Sequence, residues 1–118
     1  MNYPGILEEI LEVYRKHGWQ VSRVLLSGEG VQKLGENYEI LKDLAVRDSQ
    51  FDAVWFERPS RTGKRAIELR WLSETPFALF ELVDESEPEE NVEKVRERVE
   101  QKMARHASQS EKREHGGH

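Results

Sequence analysis

FDAVWFERPSRTGKRAIELRWLSETPFALFELVD, residues 51–84, decides the fold. It holds three apolar segments, FDAVWFER, RAIELRWL and PFALFELVD, joined by PSRTG and SETP. Both joints are rich in proline, glycine, serine and threonine, which set turn geometry, so the simplest path is an antiparallel meander. Side chains alternate across a strand. Phe51, Ala53 and Trp55 therefore share one face, and Ile67, Leu69 and Trp71 share the matching face of the next strand. FALFELV is apolar almost throughout, which predicts a central strand covered on both sides.

Upstream, residues 4 to 17 have helical spacing, with Ile6, Ile10, Val13, Tyr14 and His17 on one stripe and Leu7 and Leu11 widening it. Gly18 suits a left-handed stop. Trp19 to Leu26 reads as a strand, and SGEG turns the chain into a helix over about Val31 to Val46, weakened by Gly35. Downstream, Ser86 and Glu89 have capping-box spacing, Pro88 suits a first turn, and the acidic residues there favour the positive end of a helix dipole. A helix over about 87–106 follows, with Val92, Val95, Val99 and Met103 as a thin apolar stripe on a charged rod. So narrow a stripe buries against one surface, either the sheet or a partner helix. Residues 107–118 show no periodicity and read as a mobile tail. The fold class is α+β, in the order α-β-α-β-β-β-α: one domain over residues 1–106, with a small, mainly antiparallel sheet backed by helices and a long charged C-terminal helix.

At 118 residues the chain suits a single domain, and 36% hydrophobic residues permit a modest core. No cysteine is present, which excludes disulfides, thiolate nucleophiles and cysteine zinc sites and fits a reducing compartment. The first helix is interrupted by Glu8, Glu9 and Glu12, unlike a signal peptide, and no apolar run approaches a membrane span. The expectation is a cytoplasmic protein without membrane contact. His17, His106, His115 and His118 lack ligand spacing, so no metal site is expected from them, and no Gly-x-Ser-x-Gly elbow occurs.

Charge is the unusual feature. The chain carries −5, yet ERPSRTGKRAIELR, residues 57–70, gathers Arg58, Arg61, Lys64, Arg65 and Arg70 against only Glu57 and Glu68. A hairpin tip bearing Arg58, Arg61, Lys64 and Arg65 offers donors to phosphates or to an acidic protein surface. The plainer reading is a solvated turn whose charges block edge pairing. TGK lies between strands and lacks the glycine spacing of a phosphate-binding loop. SGEG reads as turn chemistry, since Glu29 would repel an anion.

Asp52 at the start of one strand and Glu68-Leu69-Arg70 in the next are similar to the PD-(D/E)XK nuclease signature, over about residues 5 to 72. The resemblance implies Asp52 and Glu68 as ligands of Mg2+ or Mn2+, Arg70 where the family usually has lysine, Glu9 as a helix glutamate, and metal-activated water attacking a phosphodiester. Arginine does not give up its proton, so Arg70 cannot copy a lysine that deprotonates water. The hairpin register decides whether the pair meets. With Asp52 opposite Arg70, the two carboxylates are diagonal neighbours at ~7–8 Å. With Asp52 opposite Leu72, they lie roughly 13 Å apart.

The favoured expectation is a non-catalytic domain, without a cofactor, that binds a protein partner or a second copy of itself. In that reading Arg58, Arg61, Lys64 and Arg65 form a polar contact surface, and Val92, Val95, Val99 and Met103 an interface. Nucleic-acid binding through the basic hairpin and metal-dependent nuclease activity are the alternatives.

Overall fold

A computed structural model describes residues 3–116, with side chains described as far as Ser110. The elements are α1 (Tyr3–Lys16), β1 (Gln20–Leu26), α2 (Gly28–Leu34), a 3-10 helix (Gly35–Leu41), β2 (Val46–Asp48), β3 (Ala53–Pro59), β4 (Lys64–Trp71), β5 (Ala78–Asp84) and α3 (Glu89–Gly116). The fold is α+β, and the expected order holds with one three-residue strand added. The five strands form one sheet in the order β2-β1-β3-β4-β5, antiparallel except for the β1–β2 pair.

The second helix does not run to Val46. Gly35 takes φ +49°, open to glycine and strained for other residues, and α2 ends at Leu34. The 3-10 turn then leads into β2, whose Val46 lies beside Val24 of β1. Val31 and Tyr38 are exposed, while Leu34 and Leu41 are buried. In α1 the buried stripe centres on Leu7, Ile10 and Leu11, so that Val13 is left outside it. Gly18 ends α1 at φ +85°, as its position predicted.

Helices cover both faces of the sheet. On one face α1, α2 and the 3-10 helix pack over Val24 and Leu26 of β1, Val54 and Phe56 of β3, and Leu72. On the other, α3 lays Val92, Val99 and Met103 on Leu25, Trp55, Ile67, Leu69 and Val83. Trp55 and Trp71 thus share the α3 side, as alternation required, with Trp55 fully buried. The α3 stripe expected as a partner interface, Val92, Val95, Val99 and Met103, packs instead on the sheet of its own chain. Sheet and helix each hold one apolar surface, and together they remove both from water.

α3 begins later and ends later than its pattern suggested. The Pro88 carbonyl accepts the first helical hydrogen bond, from Val92 N–H, so Ser86 lies two residues too early to cap. Glu87 accepts from the Asn91 side-chain Nδ2 at 2.8 Å. The helix runs on to Gly116, through most of the stretch expected as a tail; residues 117 and 118 lie outside the described residues.

Polar bonds fix the position of α3 on the sheet. β1 carries a bulge at Ser22, between the pairs Val21–Phe56 and Arg23–Trp55. One extra residue reverses the faces beyond it. Arg23 therefore emerges on the α3 side, where its two terminal nitrogens donate to the two Glu93 carboxylate oxygens at 2.8 Å each. Arg96, 4% exposed, bridges Glu89 at 2.8 Å, Glu93 at 3.3 Å and Glu57 of β3 at 3.7 Å. Trp55 Nε1 donates to Glu100 at 2.8 Å. The hydrogen bond from Arg23, reinforced by the positive charges of Arg23, Arg96 and Arg47, holds the Glu93 carboxyl down at about 2.

Two predictions follow from this docking. Met103→Ala, at a fully buried contact, should lower unfolding free energy by about 2–5 kcal/mol in urea melts. Because the folded Glu93 carboxyl sits at about 2, below its ordinary 4.5, its contribution is complete above pH 4.5 and disappears as pH falls toward 2. Stability measured from pH 5 to 2 should therefore fall, and Glu93→Gln should flatten that limb while lowering stability at pH 7.

Candidate functional site

The basic hairpin is largely neutralised by its own chain. Lys64 meets Asp84 at 2.6 Å. Arg65 lies 3.9 Å from Glu57 and 3.8 Å from Glu89. Arg58 covers the Trp19 ring at 4.6 Å and donates to the His17 carbonyl at 2.8 Å. Arg61 stands exposed at the tip, beside Gly63 at φ +76°. Of the four residues expected as a contact surface, three are engaged in holding the hairpin to β5, α1 and α3.

The β3–β4 register places Ala53 opposite Trp71 and Val54 opposite Arg70, which sets Asp52 across from Leu72. The Leu72 N–H donates to the Asp52 carbonyl at 2.9 Å. Glu68 faces Phe56, four residues farther along the pair, about 13 Å from Asp52 at the usual strand rise. The convergence that the nuclease resemblance needs is therefore not made. Each carboxylate has a separate task. One Asp52 oxygen accepts from Ser27 N at 2.7 Å and Ser27 Oγ at 3.0 Å, tying the β1–α2 turn to the start of β3. Glu68 accepts from the Tyr14 hydroxyl, and that ring stacks on Phe56 at 4.0 Å. Burial, then the bond to Glu68, pushes the Tyr14 hydroxyl above its ordinary range. Arg70 donates to the Trp71 carbonyl. Glu9 lies exposed on α1, lining a cleft with Arg70 and Tyr14. Among the described residues, no three His, Asp or Glu side chains are grouped to hold a metal ion. His106 is engaged in packing, stacked on Phe77 at 3.5 Å and edge-on to Trp71 at 5.0 Å.

A cleft of about 710 Å³ opens beside Asp52, lined by Tyr3, Ser27, Lys33, Trp71 and Ser110 among others. Its deepest polar groups are structural. Gly30 is buried, and a methyl there would overlap the Asp52 carboxylate and come within 2.8 Å of Tyr3 Oη. Burial, then the Asp52 charge, raises the Tyr3 hydroxyl above its ordinary range. Lys33 is paired with Glu29 at 3.1 Å and lies over the Tyr3 ring at 5.6 Å.

Among the described residues, the β5 edge has no neighbouring strand. β5 is an outer strand, not the central one its apolar run predicted; β3 is central. Its side chains alternate: Leu79 and Val83 face α3, while Phe80 and Leu82 lie on the α1 side, 51% and 37% exposed. There α1 meets the sheet through Tyr14, which bonds to Glu68 of β4 and stacks on Phe56 of β3. Val13 of α1 is 46% exposed. Two clefts of about 330 and 370 Å³ flank Val13 and Tyr14, one reaching Arg70 and Pro76, the other Trp19, Arg58 and Glu68. Backbone direction sharpens the picture. Trp71 N–H donates to the Phe77 carbonyl, and Glu85 N–H to the Gly63 carbonyl, so odd-numbered residues of β5 bond inward to β4. Ala78, Phe80, Leu82 and Asp84 turn their N–H and C=O groups outward. Phe80 and Leu82 thus combine exposed apolar side chains with open backbone groups.

The apolar run itself did not separate an edge from a centre here. The only local sign was Glu81 within FALFELV, a charge that sits poorly on a strand buried on both faces.

Gly30→Ala should lower stability by about 1–3 kcal/mol, since two polar side chains occupy the position of the new methyl. Pairing it with Asp52→Ser should recover part of the loss in thermal melts; strict additivity would show that Asp52 is not the obstacle.

No protein-family model matches the chain, and no curated protein or solved structure is significantly similar to it. No helix among the described residues is long and apolar enough to cross a membrane.

Proposed function

We propose that this chain is a non-catalytic cytoplasmic binding domain that engages a partner polypeptide along β5. The observation that carries the reading is the pairing of half-exposed Phe80 with an unbonded strand edge. The two edges of the sheet differ sharply. β2 is three residues long and exposes Arg47 and Asp48, features that deter strand addition. β5 is seven residues long, with Phe80 and Leu82 in water and neither proline nor lysine within it. An added strand would gain main-chain hydrogen bonds from Ala78, Phe80 and Leu82, and its alternate side chains would rest against Phe80 and Leu82. The acid–base pairs of the hairpin support this reading over nucleic-acid binding, because Lys64 and Arg65 have carboxylate partners within the chain. The separation of Asp52 from Glu68 supports it over catalysis.

The test uses the chain immobilised at low density, so that copies do not meet, and a displayed library of random peptides. Selected peptides should alternate apolar and polar residues and should slow amide exchange at Ala78, Phe80 and Leu82. Phe80→Lys should weaken them about tenfold or more, the scale of an aromatic anchor. Selection of no peptide sensitive to Phe80→Lys would overturn the reading.

A further inference from the structure

Resting on the edge-binding reading, we infer that the occupant of β5 is β5 of a second copy, paired antiparallel about a twofold axis at Phe80. The strand itself limits the choices. The outward backbone groups belong to the even-numbered residues 78, 80, 82 and 84, so even must face even. In a symmetric antiparallel pair this sets the axis on a residue, not between two.

Charge and apolar match then choose the residue. An axis at Glu81 sets two carboxylates face to face at the closest approach of the strands, and like charges directly opposite are destabilising. An axis at Leu82 sets Phe80 against the second copy's Asp84 and Leu79 against its Glu85. An axis at Phe80 sets the ring against its own copy, Ala78 against Leu82, and Phe77 against Val83. Glu81 then meets Leu79, and Asp84 meets Pro76, so no carboxylate faces another. Apolar side chains oppose each other on both faces of the joined sheet. The strand complements itself, and this favours a copy of the chain over an unrelated peptide. The twofold also joins the two uncovered β4–β5 surfaces into one, the isologous closure expected of a symmetric dimer. It leaves only the short β2 edges at the ends of the combined sheet.

The cysteine-free chain permits a clean test. Facing residues in a hydrogen-bonded antiparallel pair have Cα atoms about 5.5 Å apart, within disulfide reach. Full-length Phe80→Cys should become a covalent dimer under mild oxidant. Leu82→Cys alone should not, because its copy lies about 13 Å away along the strands. Mixing Ala78→Cys chains with Leu82→Cys chains should give the mixed disulfide. This last arm tests the register without altering Phe80. In sedimentation equilibrium the unmodified chain should reach twice its 13.8 kDa mass, and Phe80→Lys should remain monomeric with an unchanged melting temperature. The inference is overturned if Phe80→Cys fails to link, if Glu81→Cys or Leu82→Cys links in preference, or if the unmodified chain stays monomeric at several hundred micromolar. A monomeric chain that still selects peptides sensitive to Phe80→Lys removes the second copy and leaves the edge-binding reading standing. A monomeric chain that selects none removes both.

Discussion

Arg23 reaches α3 only because β1 carries one residue more than its neighbour at Ser22. Without that bulge its side chain would fall on the α1 side with Val21, and Val24 and Leu26 would turn to the α3 side. With it, Arg23 forks onto Glu93, Glu93 holds Arg96, and Arg96 reaches back to Glu57 of β3. The apolar stripe of α3 is one residue wide in places and would tolerate sliding along the sheet. The ionic chain does not, because each arginine finds its carboxylates in one register alone. Arg96 is buried but its carboxylate partners are 28–68% exposed, so these pairs add little net stability and form only where both partners come within reach. Here they set where α3 lies, while the valines and Met103 supply most of the stabilisation.

The position of α3 in turn explains what is left open. A 28-residue helix covers one face of the sheet to its edge, so Leu79 and Val83 of β5 are packed. On the other face α1 has 14 residues and sits over the inner strands. Among the described residues no further helix lies over β4 and β5 on that side. Phe80 and Leu82 are therefore exposed through the layer arithmetic of the fold, not through any defect of β5 itself. The outer strand keeps one face dry and one face wet, and among the described residues no strand pairs with its outward backbone groups.

The polar residues that drew attention by composition turn out to hold elements together. Lys64, Arg65 and Arg58 each bind a neighbour in the fold, Asp52 accepts two hydrogen bonds from Ser27, and Glu68 accepts one from Tyr14. Side chains of these types signal chemistry only when they converge, and convergence is a property of register. In this hairpin a two-residue difference in pairing, invisible in PSRTG, separates a shared metal site from two structural carboxylates.

Residue spacing alone was enough to establish the α+β order, the meander over residues 51–84, the inward face of Trp55 and Trp71, and the stop at Gly18. These depend on periods of 2 and 3.6 and on glycine, all local properties of the chain. Strand order, the Ser22 bulge, the β3–β4 register, the short β2 and the edge position of FALFELV came from the tertiary structure. A strand's neighbours are fixed by which surfaces remain to be covered once the helices have packed. No window of sequence contains that competition, so an apolar run reads alike whether it ends in the middle of a sheet or at its open side.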